Sequence, residues 1–164
     1  MTTINSLSST TGHTGFGPGP VGVAMRIEEI CNQNVIAIGA EASIHEAARL
    51  MRTRHVGCLV VTNDDDGERV PVGMITDRDI DAGVLTVGDV MTRPVVVCGL
   101  REELFEALER MRGAGVRRLP VVDGHGTLAG LLSVDDIISA LGWHLQELSR
   151  ALTSEQMREM SERV

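Results

Sequence analysis

The chain repeats itself, and this constrains its fold more than any other feature. Val35, Gly39, Glu46, Ala47 and Met51 recur sixty residues later as Val95, Gly99, Glu106, Ala107 and Met111. The same offset joins Arg52 to Arg112, Val56 to Val116, Leu59 to Leu119 and Val61 to Val121. It then falls to 57, because TNDDDGERVPV in the first copy is three residues longer than VDGHGTLA in the second. From there Gly73 pairs with Gly130, Thr76 with Ser133, Asp79 with Asp136 and Ile80 with Ile137. Units this small do not bury an apolar face alone, so two in tandem are expected to pack as a pseudo-twofold pair.

Each copy reads in one order. A short apolar strand (VIAI at 35–38, VVVC at 95–98) precedes a helix whose apolar positions fall at i, i+3, i+4 and i+7: Ile44, Ala47, Ala48 and Met51, then Leu104, Ala107, Leu108 and Met111. Two strands joined by a polar turn follow, and a final helix is expected to start at Thr76 and at Ser133. The class is therefore α/β, as two β-α-β-β-α units at 25–85 and 86–141. Residues 1–24, rich in Ser, Thr, Gly and Pro, read as a flexible tail, and 142–164 as a C-terminal helical extension. In that extension Thr153 and Gln156 have the spacing of a capping box, which predicts one helix ending and another starting there. The stripe of Leu141, Leu145, Leu148 and Leu152, with Trp143 nearby, needs a cover. It either folds back on its own subunit or makes a homodimer.

Composition narrows the function classes. A net charge of −8 disfavours nucleic acid and anionic membrane surfaces as partners. With two Phe, one Trp and no Tyr, the core is aliphatic and stacking platforms are scarce. Cys31, Cys58 and Cys98 are odd in number, lack CxxC spacing and flank apolar runs, as buried free thiols do in a reducing compartment. No apolar run reaches bilayer length, and a cytoplasmic location is expected. Cys58 has no evident activating partner, so it does not read as a nucleophile. His13, His45, His55, His125 and His144 lack the spacing of zinc ligands. Asp64, Asp65, Asp66 and Gly67 read as an acidic hairpin turn, not a calcium loop, and His55 as a residue that ends its helix. No catalytic constellation or metal site stands out, and the chain does not read as an enzyme.

The chemistry-bearing motif occurs twice, as GMITDRDI (73–80) and GLLSVDDI (130–137). A hydroxyl residue followed three positions later by Asp caps a helix. The same geometry presents backbone N–H groups and a hydroxyl to a phosphate, and a carboxylate one turn on to the hydroxyls of a ribose. One isolated motif does not decide between capping and binding.

Taken whole, the twin strand–helix–strand–turn–strand pattern, each copy closed by Gly, two apolar residues, Thr or Ser, and Asp, resembles the tandem CBS domain pair, named after cystathionine β-synthase. The resemblance spans about residues 26–141 and is densest at DVMTRPVVVC (89–98) and RRLPVVDGHGTLAGLLSVDDII (117–138). It implies two three-stranded sheets packed together and two clefts that take adenosine derivatives: AMP, ADP, ATP, S-adenosylmethionine or NAD. It implies phosphate contacts from Thr76 and Ser133, and ribose contacts from Asp79 and Asp136. Val56, Gly57 and Cys58 in one copy, and Val116, Arg117 and Arg118 in the other, would line adenine and phosphate, with Thr92 and Pro94 near the adenine. The function implied is a nucleotide-sensing regulatory module, with the nucleotide as ligand rather than cofactor, acting on its own dimer or an effector protein. The alternative is a ligand-free scaffold of the same fold. Because Gly57 and Cys58 stand where the second copy has Arg117 and Arg118, the cleft around Ser133 and Asp136 is expected to hold the phosphorylated ligand more tightly.

Overall fold

The computed structural model describes residues 25–65, 67–80 and 86–162, so the tail read at 1–24 lies outside the described residues. The two sequence copies become two three-stranded sheets of identical order, β1-β2-β3 and β4-β5-β6. In the first copy β1 is Ala37–Gly39, β2 is Cys58–Asp65 and β3 is Glu68–Thr76; in the second, β4 is Cys98–Gly99, β5 is Arg118–Val122 and β6 is Leu128–Ser133. The first pairing of each sheet is parallel and the second antiparallel. Both antiparallel ladders slip at equivalent places, between Val61 and Thr62 and between Val121 and Val122. The opening strands are shorter than the apolar runs predict. Val95 and Val96 line a cavity instead of pairing with a neighbouring strand.

The helices α2 (Ile44–Arg54) and α4 (Leu104–Ala114) cover their sheets with the predicted stripe. Ile44, Ala47 and Met51, and Leu104, Ala107 and Met111, are buried, while Ala48 and Leu108 sit at the margin. Ser43 caps α2 by accepting a hydrogen bond from the Glu46 N–H at 3.1 Å. Both helices stop on a left-handed residue that satisfies their last carbonyls: Gly115 at φ 66° after α4, and His55 at φ 54° after α2.

What the repeat register does not reveal is an exchange. A short helix, α1 (Ile27–Ile30), precedes the first copy but packs on the second; its counterpart α3 (Val87–Val90) precedes the second and packs on the first. The bonds correspond: Ile27 N–H donates to Glu102 O at 3.1 Å and Val87 N–H to Ala42 O at 2.8 Å. Just beyond, Asn32 and Leu131 exchange reciprocal backbone hydrogen bonds of 2.9 Å, as Thr92 and Met74 do at 2.8 and 3.3 Å. Ile27 and Val87 are wholly buried in these borrowed positions, each worth about 1.5–3 kcal/mol of apolar burial.

The exchange explains the glycine that opens each motif. A Cβ on Gly130 would lie 2.9 Å from Cys31 Sγ and 3.3 Å from Asn32 O, and one on Gly73 would press into the Met91 side chain. The strand accepts the crossing segment only without a side chain there.

Two sequence expectations change. The final helix of the first copy is a single 3-10 turn, Asp77–Asp79, and Asp81–Leu85 lie outside the described residues. The break at Thr153 does not occur: α5 runs from Val134 to Glu162 as one helix. The Thr153 hydroxyl donates back to Ser149 O at 2.9 Å, so it serves the preceding turn instead of capping a new one.

Two stability predictions follow from these local geometries. Gly130→Ala should cost about 1–3 kcal/mol in urea unfolding, because the backbone of Asn32 is tied to Leu131 and cannot retreat; unchanged stability would show that the crossing segment is not held there. His55→Gly should raise stability by about 0.5–1 kcal/mol by removing a Cβ from the left-handed position that Gly115 occupies in the other copy, and an unchanged or lower midpoint would refute that cost.

Candidate functional site

Both hydroxyl-x-x-Asp motifs close as capping boxes. Thr76 donates its N–H and its Oγ1–H to Asp79 Oδ2, each at 2.8 Å. Ser133 does the same to Asp136 Oδ2, with the N–H at 2.8 Å, and its Oγ also accepts from the Asp136 N–H at 3.2 Å. The capping reading of the sequence is thus realised in both copies. It leaves Oδ1 of each carboxylate without a hydrogen-bond partner among the described residues.

A cavity of about 740 Å³ opens beside the first motif, within the range that holds a drug-sized or nucleotide-sized ligand. The first copy supplies Gly57, the end of β3 at Met74 and Thr76, and the turn residues Asp77 and Arg78. The segment that crosses over supplies Thr92, Pro94, Val95 and Val96. The second copy supplies Ala114, Gly115 and Val116 at the end of α4, then Arg117 and Arg118 entering β5. The cleft is therefore composite: the motif of one copy faces the strand entry of the other.

This corrects the expected location of the charge. Arg117 and Arg118 line the cleft of Thr76, not one built around Ser133 and Asp136. Arg118 is still the ladder partner of Ser133, and Arg117 O accepts from the Val134 N–H at 3.0 Å. Adjacency within one copy thus describes the strand pairing but not the direction of the guanidinium groups. Arg78 joins them, its direction undetermined by the sequence alone. Among the described residues, none of the three guanidinium groups has an ion-pair or hydrogen-bond partner, so three uncommitted cations border one cavity against the single carboxylate of Asp77.

The remaining candidates are placed as follows. Gly57, Thr76, Thr92, Pro94 and Val116 line the cavity with the two arginines. Val56 lines a shallower neighbouring depression of about 380 Å³, with His55 and Ile80. Asp79 is half-buried beneath Thr76, and Ser133 and Asp136 belong to the other copy's motif. Cys58 is buried at the start of β2; burial pushes its thiol pKa up, and the nearby Arg118 only partly offsets this. Cys98 is pushed up to about 12 by burial, with the Glu102 carboxylate adding to the shift. Both are therefore neutral thiols at ordinary pH rather than thiolates. Asp64 and Asp65 finish β2 and Gly67, at φ 87°, turns the chain into β3, so the acidic stretch is a hairpin end. Among the described residues no group of three His, Cys, Asp or Glu could hold a metal ion, and no helix is long and apolar enough to cross a membrane.

Comparison with known proteins agrees with the architecture. An uncharacterised protein of Methanopyrus kandleri is 32% identical over 124 residues, covering 70% of this chain and 62% of that protein. The chain thus spans less than two-thirds of that relative. Among solved structures, the CBS domain pair of protein MJ0100, in complex with 5'-methylthioadenosine and S-adenosyl-L-methionine, aligns with a TM-score of 0.65 at 24% identity, covering 74% of this chain and 98% of that one. CBSX2 in complex with AMP aligns with a TM-score of 0.61 at 26% identity, covering 71% and 95%. The family model of the CBS domain matches twice, at residues 27–84 and 87–142. The chain belongs to the CBS domain family and carries its repeats as a CBS pair.

Proposed function

We propose that this chain is a regulatory module that binds an adenine nucleotide in the cleft of Thr76, and that it is not itself an enzyme. The observation that carries the reading is the convergence of Arg78, Arg117 and Arg118, whose guanidinium groups have no partner among the described residues, on one cavity beside a hydroxyl motif. An Arg fork matches phosphate oxygens in pairs, which a lone helix end does not. Met74, Pro94, Val95 and Val96 offer an apolar wall for a base, and Asp79, hydrogen-bonded to the cavity-lining Thr76 though not itself part of the lining, would accept a ribose hydroxyl through its spare Oδ1. CBSX2, a relative of the same fold, was solved with AMP.

On this reading AMP, ADP and ATP are the preferred class. S-adenosylmethionine and NAD share the adenosine part but place different charge at the arginines. The module is cytoplasmic and acts as a homodimer, in which ligand occupancy in one copy alters the other or an effector protein. The Ser133 cleft is the weaker phosphate site. At equivalent positions it has Asp135 for Arg78, Gly57 for Arg117 and Cys58 for Arg118; it gains Arg54 for Ala114 and has Val134 for Asp77, which leaves one arginine against one carboxylate where the Thr76 cleft has three against one.

Calorimetry of the purified chain with AMP, ATP and adenosine tests this. AMP should bind about 10-fold to 100-fold more tightly than adenosine, the scale of one charge-assisted hydrogen bond. The Arg117→Ala/Arg118→Ala double variant should lose that preference and keep adenosine. A preference that survives in the variant would place the phosphate elsewhere. Absence of binding by all three compounds would favour the ligand-free scaffold.

A further inference from the structure

The last twenty-nine described residues form one helix, yet only its start belongs to the body of the protein. Ile137 is buried and Val134 and Ala140 are half-buried against the second copy's core; from Leu141 to Thr153 only His144 and Glu147 are even partly covered. The aliphatic residues exposed along the helix are Ile138, Leu141, Leu145, Leu148 and Leu152, by 61, 41, 66, 62 and 63%, and Trp143, 59% exposed, lies off their line. Their spacing is three, four, three, four.

We propose that α5 pairs with α5 of a second copy as a two-stranded coiled coil. This rests on the homodimer of the functional reading and names its surface. Alternation of three and four is the 3.5-residue period of a coiled-coil seam, which a second helix of the same period matches and a strand, with period two, does not. In heptad terms Ile138, Leu145 and Leu152 occupy a, and Leu141 and Leu148 occupy d. In the first heptad Ile138 at a with Leu141 at d is the combination that favours two strands. The positions flanking the seam are Gly142, His144, Ser149 and Ala151, none of them Asp, Glu, Lys or Arg, so no such like-charge repulsion separates identical copies. Glu147 and Arg150 lie on the outer side and pair with each other at 2.7 Å.

The other occupants fit less well. The chain's own body is excluded because the helix runs straight through Thr153, leaving no turn by which its end folds back. Residues 1–24, dominated by Ser, Thr, Gly and Pro, carry no apolar heptad. The exposed seam amounts to on the order of 500 Å² per copy, or about 1,000 Å² for the pair, the lower bound for a specific interface. A protruding helix of this length is also marginal alone in water, so pairing stabilises helix and interface together.

The test is sedimentation equilibrium of the full chain from 1 to 100 μM, with circular dichroism and AMP calorimetry on the same samples. The unaltered chain should be a dimer. Leu145→Glu/Leu148→Glu should weaken dimerisation at least 100-fold, while the outer-face variant Gln146→Glu stays dimeric. Leu152→Cys should form a covalent dimer on oxidation if the pairing is parallel, and Leu145→Cys in either direction. A dimer that persists in the double Glu variant overturns the coiled coil but not the homodimer; a monomeric unaltered chain overturns both. A seam occupied by a foreign helix would show as that second outcome. Because neither leucine lines the cleft, the monomeric double Glu variant should still bind AMP, so failure of the seam is distinguishable from failure of the nucleotide reading. If the double Glu variant does not fold, the Cys cross-links still decide.

Discussion

Two reciprocal pairs of backbone hydrogen bonds, Asn32 with Leu131 and Thr92 with Met74, fasten each crossing segment to the far copy. They hold Ile27 and Val87 where each completes the apolar core of the other copy. Such bonds contribute little singly, on the order of 1 kcal/mol net. Their weight lies in position. They anchor the exchanged segment beside a strand whose glycine leaves room for it, and apolar burial follows. A unit of this size buries too small a fraction of its surface to be secure alone, and the exchange merges two marginal cores into one cooperative structure.

The cleft is a consequence of the same crossing. Thr92 is held against Met74 by the ladder, and the next residues, Pro94 to Val96, are thereby carried past the end of β3 and form a wall beside Thr76. The opposite wall is the entry to β5 in the second copy, the copy on which α1 packs. A ligand seated there touches both copies and the connection between them. Occupancy can therefore bias how the copies sit together, which is the differential contact a regulatory ligand needs if it is to shift an equilibrium.

Much of this was legible in the sequence because the repeat can be aligned without a gap over its first half. The aligned positions fix the helix stripes, the strand order and the paired Thr76–Asp79 and Ser133–Asp136 motifs. Three things were not legible, each for a physical reason. The exchange was hidden because α1 and α3 have the same pattern whichever copy they pack on. The side on which Arg117 and Arg118 point was hidden because the cleft joins the motif of one copy to the strand of the other, so nearness in sequence misassigns it. The continuity of α5 was hidden because Thr153 caps a helix or bonds back to Ser149 O with the same hydroxyl, and only the path of the chain decides which. The glycines at 73 and 130 carried a signal for the first of these, since a repeated Gly inside a strand marks a close backbone approach.

The Thr76 motif and its Ser133 counterpart stand at equivalent places in the repeat, one closing on a 3-10 turn and the other on α5, and they differ most in the charges around them. The chain as a whole carries −8 and repels anions at long range. At physiological ionic strength that field fades over about 8 Å, less than the width of a domain of this size. Inside the cavity the nearest charges decide, and there Arg78, Arg117 and Arg118 outweigh Asp77. On the proposed reading the acidic surface would do little to a small anion in the cleft and would oppose long polyanions, which must lay many phosphates across the surrounding surface to reach the same three arginines. On the proposed reading the inequality comes from side chains alone: Asp135, Gly57 and Cys58 stand where the Thr76 cleft has its arginines, and Arg54 and Val134 where it has Ala114 and Asp77.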